Sequence, residues 1–89
     1  MHAVMVTVRM APARADEARK TLDDYIVPSV KQHPGLVKGT WMAADELGVS
    51  VVTYDSQENA EKAAGGVSAG PDDPISIESV QVYEVHAEA

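Results

Sequence analysis

From His2 to Met10 the chain alternates, with Val4, Val6, Val8 and Met10 on one side and Ala3, Met5, Thr7 and Arg9 on the other, which is the two-residue period of a strand. Ala11-Pro12 ends it. From about Arg14 the apolar positions fall at Ala15, Ala18, Leu22, Tyr25, Ile26 and Val30, three and four apart, so a helix comes next with these residues on one face. Asp16 and Glu17 at its start and Lys31 near its end match the polarity of the helix dipole. Pro28 lies in its interior, where it removes one hydrogen bond and its ring meets the carbonyl four residues back. A kink or break is therefore expected between Asp24 and Pro28, and His33-Pro34-Gly35 stops the element.

Residues 36–43 and 49–54 are rich in Val, Thr and aromatics and read as two strands, with Ala44-Asp45-Glu46-Leu47-Gly48 as a hairpin connection. Asp55 followed by Glu58 fits a capping box that opens a second helix, supported by the Glu58–Lys62 pair. Ala60, Ala63, Ala64 and Val67 are available to pack, and Gly65-Gly66 is expected to supply a left-handed helix end. Beyond the Gly70–Pro74 loop, a last strand runs from Ile75 to His86, and its apolar phase slips twice, which predicts bulges.

The order strand, helix, strand, strand, helix, strand over residues 1–89 is that of a single ferredoxin-like α+β domain, an antiparallel four-stranded sheet with two helices on one face. Such a sheet should be polar on its open face. Here Ala3 and Met5 oppose the valines of the first strand, and Val49 and Val51 alternate with Val52 and Tyr54, so both faces are apolar. Two helices cover one face, and the expected cover for the other is a second copy in a symmetric homodimer.

Composition narrows the function classes. Fourteen Asp and Glu against seven Lys and Arg give a net charge of −7, which supplies no basic stripe to displace counterions, so nucleic acid is not an expected partner. The absence of Cys removes disulfides, thiolate metal sites and a cysteine nucleophile. No apolar run reaches the roughly 18 residues of a membrane span, and the start lacks a basic segment before a long apolar core, so a cytoplasmic protein without a membrane partner is expected.

Several segments carry a family resemblance. Ile26-Val27-Pro28-Ser29, His33-Pro34-Gly35-Leu36, Gly39-Thr40-Trp41 and Val51-Val52-Thr53-Tyr54-Asp55-Ser56 leading into Glu58-Asn59-Ala60 make nearly the whole chain similar to the dimeric α+β barrel proteins related to antibiotic biosynthesis monooxygenases. The resemblance implies a dimeric α/β barrel in which two sheets face each other around a cavity. It implies for some relatives oxidation of polycyclic aromatic substrates without metal or flavin, and for others haem degradation or ligand binding. Function varies widely on such a fold. The cofactor-free oxygenases place an Asn in the third strand and a Trp at the turn into the second helix; Thr53 and the Asp55-Ser56-Gln57 turn stand at those places here. A threonine hydroxyl hydrogen-bonds a substrate oxygen but lacks the two amide donors that would stabilise an oxyanion. Haem degraders pair a first-strand Asn with a helix-borne His, and this chain has neither.

Four residues are candidates for ligand binding. Trp41, the single Trp, either stacks on a flat ligand or fills the core. Arg9 either holds an acidic or phenolic group as a fixed cation or is a surface charge at a strand end. His33 either reaches a cavity mouth as an acid or base or is a solvated loop residue. Thr53 assists protons if the pocket reaches it. His2, His86 and Glu84 form a weaker set of metal candidates, because the first and last strands should be neighbours with these residues near the paired ends. The expectation is a small-molecule-binding homodimer with no cofactor, acting as a cofactor-free monooxygenase-like enzyme on a phenolic or polycyclic aromatic metabolite. The alternative is a non-catalytic ligand-binding or accessory dimer, favoured by the missing Asn and Trp.

Overall fold

The computed structural model describes residues 1–89. Strand β1 (His2–Met10) leads through a single 3-10 turn, Pro12–Arg14, into the first helix, after which come strands β2 (Leu36–Ala44) and β3 (Leu47–Tyr54). The second helix (Gln57–Gly65) and strand β4 (Ile75–Glu84) complete the chain. The strands form one antiparallel sheet in the order β2-β3-β1-β4, the ferredoxin-like arrangement expected from the sequence. Two helices lie on the same face, because Val30 of the first and Ala60 of the second both join the cluster of Val4, Val52 and Tyr54.

The first helix begins regularly at Ala15–Thr21 and then widens into a π-helical stretch, Leu22–Ile26, before a last α-helical turn, Val27–Val30. Pro28 explains the change. Its ring would meet the carbonyl of Asp24 in a regular helix; the widened turn directly before it, in which the Val27 amide donates to the Leu22 carbonyl, moves that carbonyl away. The expected break is thus a one-residue bulge inside a continuous helix. A bulge also rotates the neighbouring side chains about the helix axis, and Tyr25, expected on the buried face, stands 71% exposed while Ile26, Val27 and Val30 are half-buried.

Three local expectations need correction. Strands β2 and β3 extend to Ala44 and Leu47, so Asp45-Glu46 alone turns the hairpin, with Asp45 at a φ of 55°. Asp55 does not cap the second helix. Ser56 does, its hydroxyl accepting from the Asn59 amide at 3.2 Å, while the Asp55 carboxylate accepts from the Asn59 side chain at 2.9 Å. The second helix ends at Gly66 without the left-handed residue expected there, since Gly66 has a φ of −91°. The glycine that needs positive φ is Gly35, at 74°.

Both outer strands carry a bulge. The β1–β4 register shifts between Thr7 and Val8, leaving Glu78 as an extra residue, and the β2–β3 register shifts between Leu36 and Lys38 at Val37. The first is one of the phase slips visible in the last strand, which ends at Glu84.

Gly35 closes the loop that returns the first helix to the sheet. Its carbonyl accepts from the Asp55 amide at 2.8 Å, and a Cβ there would collide with the Asp55 carboxylate and the Asn59 amide group. Gly35→Ala is therefore expected to destabilise the fold by about 2 kcal/mol, combining backbone strain with displacement of this hydrogen-bonded pair. Urea unfolding of the variant beside the parent checks it, and an unchanged midpoint would contradict the clamp.

Candidate functional site

The pairing register sorts the chemistry-bearing residues between the two faces of the sheet. On the helix side, successive rows are Leu36–Tyr54–His2–Glu84, Gly39–Val52–Val4–Val82 and Trp41–Ser50–Val6–Val80, with Gly48 beside Val8 in the next. On the open side lie Lys38–Thr53–Ala3–Tyr83, Thr40–Val51–Met5–Gln81 and Met42–Val49–Thr7–Ser79, with Arg9 opposite Leu47 beyond them. Trp41 and His33 therefore belong to the helix side, and Arg9 and Thr53 to the open side. The four candidates do not converge on one space within a chain.

On the helix side, the β2–β3 half of the sheet is floored by small residues, Gly39, Ala43, Gly48 and Ser50. Trp41 is the one large side chain among them. Its indole folds back along its own strand over Gly39, where an added Cβ would meet the six-membered ring at 2.8 Å. Absence of a side chain at 39 is what lets the ring lie flat there. Trp41 stays half-buried, in contact with the core cluster that includes Tyr54. The second helix lies close over β1 and β4, where Ala60, Ala63 and Ala64 permit near approach, so the crossover from β1 to β2 leaves the first helix above β3 and β2. Half-buried Leu22 and Ile26 on that helix, with Val30 packed on the core cluster, give the helix side an apolar layer.

Tyr54 stands at the end of this layer, 2% exposed, and its hydroxyl lies 2.6 Å from Nδ1 of His33, with the two rings stacked at a centroid distance of 6.0 Å. Burial raises the Tyr54 pKa above its ordinary value. His33 is held from several directions. Its amide donates to the Val30 carbonyl at 3.0 Å, Pro34 is its neighbour in the chain, and Gly35 is clamped by Asp55 and Asn59. No sequence signal marks the partnership of Tyr54 with His33, since the two are 21 residues apart and the strand pattern assigns Tyr54 only a packing role.

The other candidates have different surroundings. Arg9 is exposed and pairs with Glu78 at 2.8 Å and with Glu46 at 3.5 Å, and the Glu78 hydrogen bond chiefly raises its pKa. The bulge at Glu78 delivers that carboxylate, so the guanidinium already has two acidic neighbours. Thr53 is buried in the sheet between Ala3 and Lys38. His2 faces the helices opposite Glu84 and borders an open depression of about 540 Å³ with Gln57, Glu61 and Gln81, its Nδ1 buried and unpartnered. His86 lies beyond β4 on the surface, 3.1 Å from Glu84, the register partner of His2. No three His, Asp or Glu side chains are grouped so as to hold a metal ion. No helix is long and apolar enough to cross a membrane.

No family model matches the chain, and no curated protein matches it in sequence. Solved structures do share its fold. MhuD, a haem degrader of Mycobacterium tuberculosis solved with two haems bound in its active site, superposes with a TM-score of 0.76 at 14% identity, over 100% of this chain and 99% of that one. A monooxygenase from the gene ActVA-Orf6 of Streptomyces coelicolor, in complex with the ligand Nanaomycin D, gives 0.63 at 13% identity, over 99% and 89%. The ferredoxin-like fold anticipated from the sequence is thus the fold of this chain, and it is shared with both of these proteins.

Because burial raises the pKa of Tyr54, the protonated phenol contributes stability that is fully present below the unfolded tyrosine value near 10 and is lost as pH rises through the higher folded value. Urea midpoints between pH 9 and 11 are expected to fall more steeply for the parent than for Tyr54→Phe. Parallel slopes would show that the hydroxyl is not shielded from water.

Proposed function

We propose that this protein is a homodimer that binds a small, largely apolar, aromatic molecule between the first helix and the β2–β3 half of its own sheet, with Trp41 as the stacking surface. The observation that carries the reading is the helix-side floor of β2 and β3, where small residues surround a single indole that lies flat over Gly39 and half-buried. Flat aromatic surfaces stack on such a ring with offset geometry, and pockets that are mostly apolar with few polar groups are the usual form of small-molecule sites. The neighbours of this fold hold haem and Nanaomycin D, which supports a ligand of that general size class. The activity we favour is cofactor-free, monooxygenase-like oxidation of a phenolic or polycyclic aromatic metabolite, with Thr53 and Arg9 taking part only if a partner subunit closes over the open face.

The open face supports the second copy. Met42 and Tyr83 are each 51% exposed and Leu47 40%, in line with half-buried Met5, Val49 and Val51. The chain exposes 5975 Å², where a compact monomer of this mass exposes roughly 5,000 Å². That surplus is on the order of the ~800 Å² each partner gives to a stable interface. Face-to-face pairing of two such sheets hides these side chains from water.

Two measurements test this reading. Sedimentation at low micromolar concentration is expected to show a dimer, and Val49→Lys, which places a charge in the middle of the open face, to give a folded monomer. A folded parent monomer would contradict the assembly. Emission of Trp41, the only Trp, is expected to be quenched by a dihydroxyanthracene, accompanied by oxygen uptake. Quenching without uptake favours the non-catalytic binding protein, for which the absent strand-three Asn and turn Trp argue, and an unperturbed emission contradicts both.

A further inference from the structure

His33 and Tyr54 join the loop after the first helix to the sheet by a side-chain hydrogen bond, and its direction can be derived. The Tyr54 hydroxyl makes no other hydrogen bond within the chain. A buried phenol with no other acceptor in reach leaves its proton unpaired unless it donates here, so the hydroxyl donates and Nδ1 accepts. A ring nitrogen that accepts carries no hydrogen. The neutral His33 ring is thereby held as the Nε2–H tautomer. That nitrogen has no partner in the protein, and it is not sealed, since the one buried side-chain nitrogen or oxygen without a partner is Nδ1 of His2. The backbone beneath is equally fixed, by the Val30 carbonyl on one side and the Asp55–Asn59 clamp on Gly35 on the other.

We infer that His33 is a specificity-determining residue whose Nε2–H, oriented and tautomerically fixed by Tyr54, donates a hydrogen bond to an oxygen acceptor, a carbonyl or quinone oxygen, on the aromatic ligand held against Trp41. The inference rests on the helix-side binding proposed above. Its geometric basis is the continuity of the three rings. Trp41 lies over Gly39, the Gly39 row carries Val52, and Val52 and Tyr54 share one face of β3, with His33 stacked on Tyr54. An apolar layer whose end carries a single unpaired donor accepts a hydrocarbon skeleton and distinguishes it by its oxygen. A site that offers a donor with no protein partner discriminates against analogues that cannot engage it. Tyr54 acts through His33 and is a positioning residue.

Two readouts test this. Long-range proton–nitrogen NMR of the parent at pH 8 is expected to show Nε2 of His33 protonated and Nδ1 bare, with Tyr54→Phe shifting the ring toward a mixture of tautomers. A hydrogen on Nδ1 in the parent overturns the inference whatever the ligand. Quenching of Trp41 by anthraquinone is expected to be at least tenfold tighter than quenching by anthracene. His33→Leu is expected to abolish that ratio, and Tyr54→Phe to reduce it several-fold. If the parent binds both probes equally, recognition by His33 is wrong and the binding site stands. If neither probe binds, the site and the inference fall together.

Discussion

The governing constraint in this molecule is a sheet that is apolar on both faces and has helices for only one of them. Burial of apolar surface is the main favourable term in folding, and a chain of 89 residues has little of it to spare. The helix side answers this with a small cluster in which Val4, Val52, Tyr54 and Ala60 are withdrawn from water. The open side leaves methionine, leucine and tyrosine at the surface. These two faces have different chemistry, and the division decides which residues can act together. Arg9 and Thr53 look outward from the sheet, whereas Trp41, Tyr54 and His33 look toward the helices.

The helix side is itself unequal. Over β1 and β4 the second helix approaches closely because its inward residues are alanines. Over β2 and β3 the floor is glycine and serine, and the first helix above it is interrupted by a π-turn. Pro28 and that turn are one adjustment. The proline forbids a regular turn before it, the helix widens, and the residues beyond are re-aimed by about 100°, the angular step of one residue in a helix. The tyrosine stands outward while Ile26 and Val27 are half-buried, which keeps the inner side of the helix apolar.

The fold was legible in the sequence because its signals are periodic. Alternation in residues 2–10, three-and-four spacing in 15–30 and the Val-rich hairpin set the element order, and order set topology. Turn chemistry was less legible, since several residues compete for the same role. Asp55 and Ser56 are both good caps, and only the backbone at 56 shows which one is used. Asp45-Glu46 carries no glycine to mark a tight turn. Site residues were legible as types and not as groupings. Strand parity put Arg9 with Met5 and Thr7, as observed, but no local rule relates the face of one strand to a loop 21 residues away, so the pairing of Tyr54 with His33 was out of reach. The metal set has no third partner in place: His86 and Glu84 lie 3.1 Å apart, but no three His, Asp or Glu side chains are grouped to hold an ion.

The bulges in β2 and β4 fall on the two strands that form the margins of the sheet, and this bears on edge-to-edge association. A flat margin with free amides and carbonyls invites further strands to add one after another, the route to fibres. At Val37 and at Glu78 the ladder is broken and the backbone swings out of line, with Lys38 and the Arg9–Glu78 pair close by to add charge. Sideways growth is thereby discouraged at both margins, and the broad open face is left as the apolar surface on which contact can form.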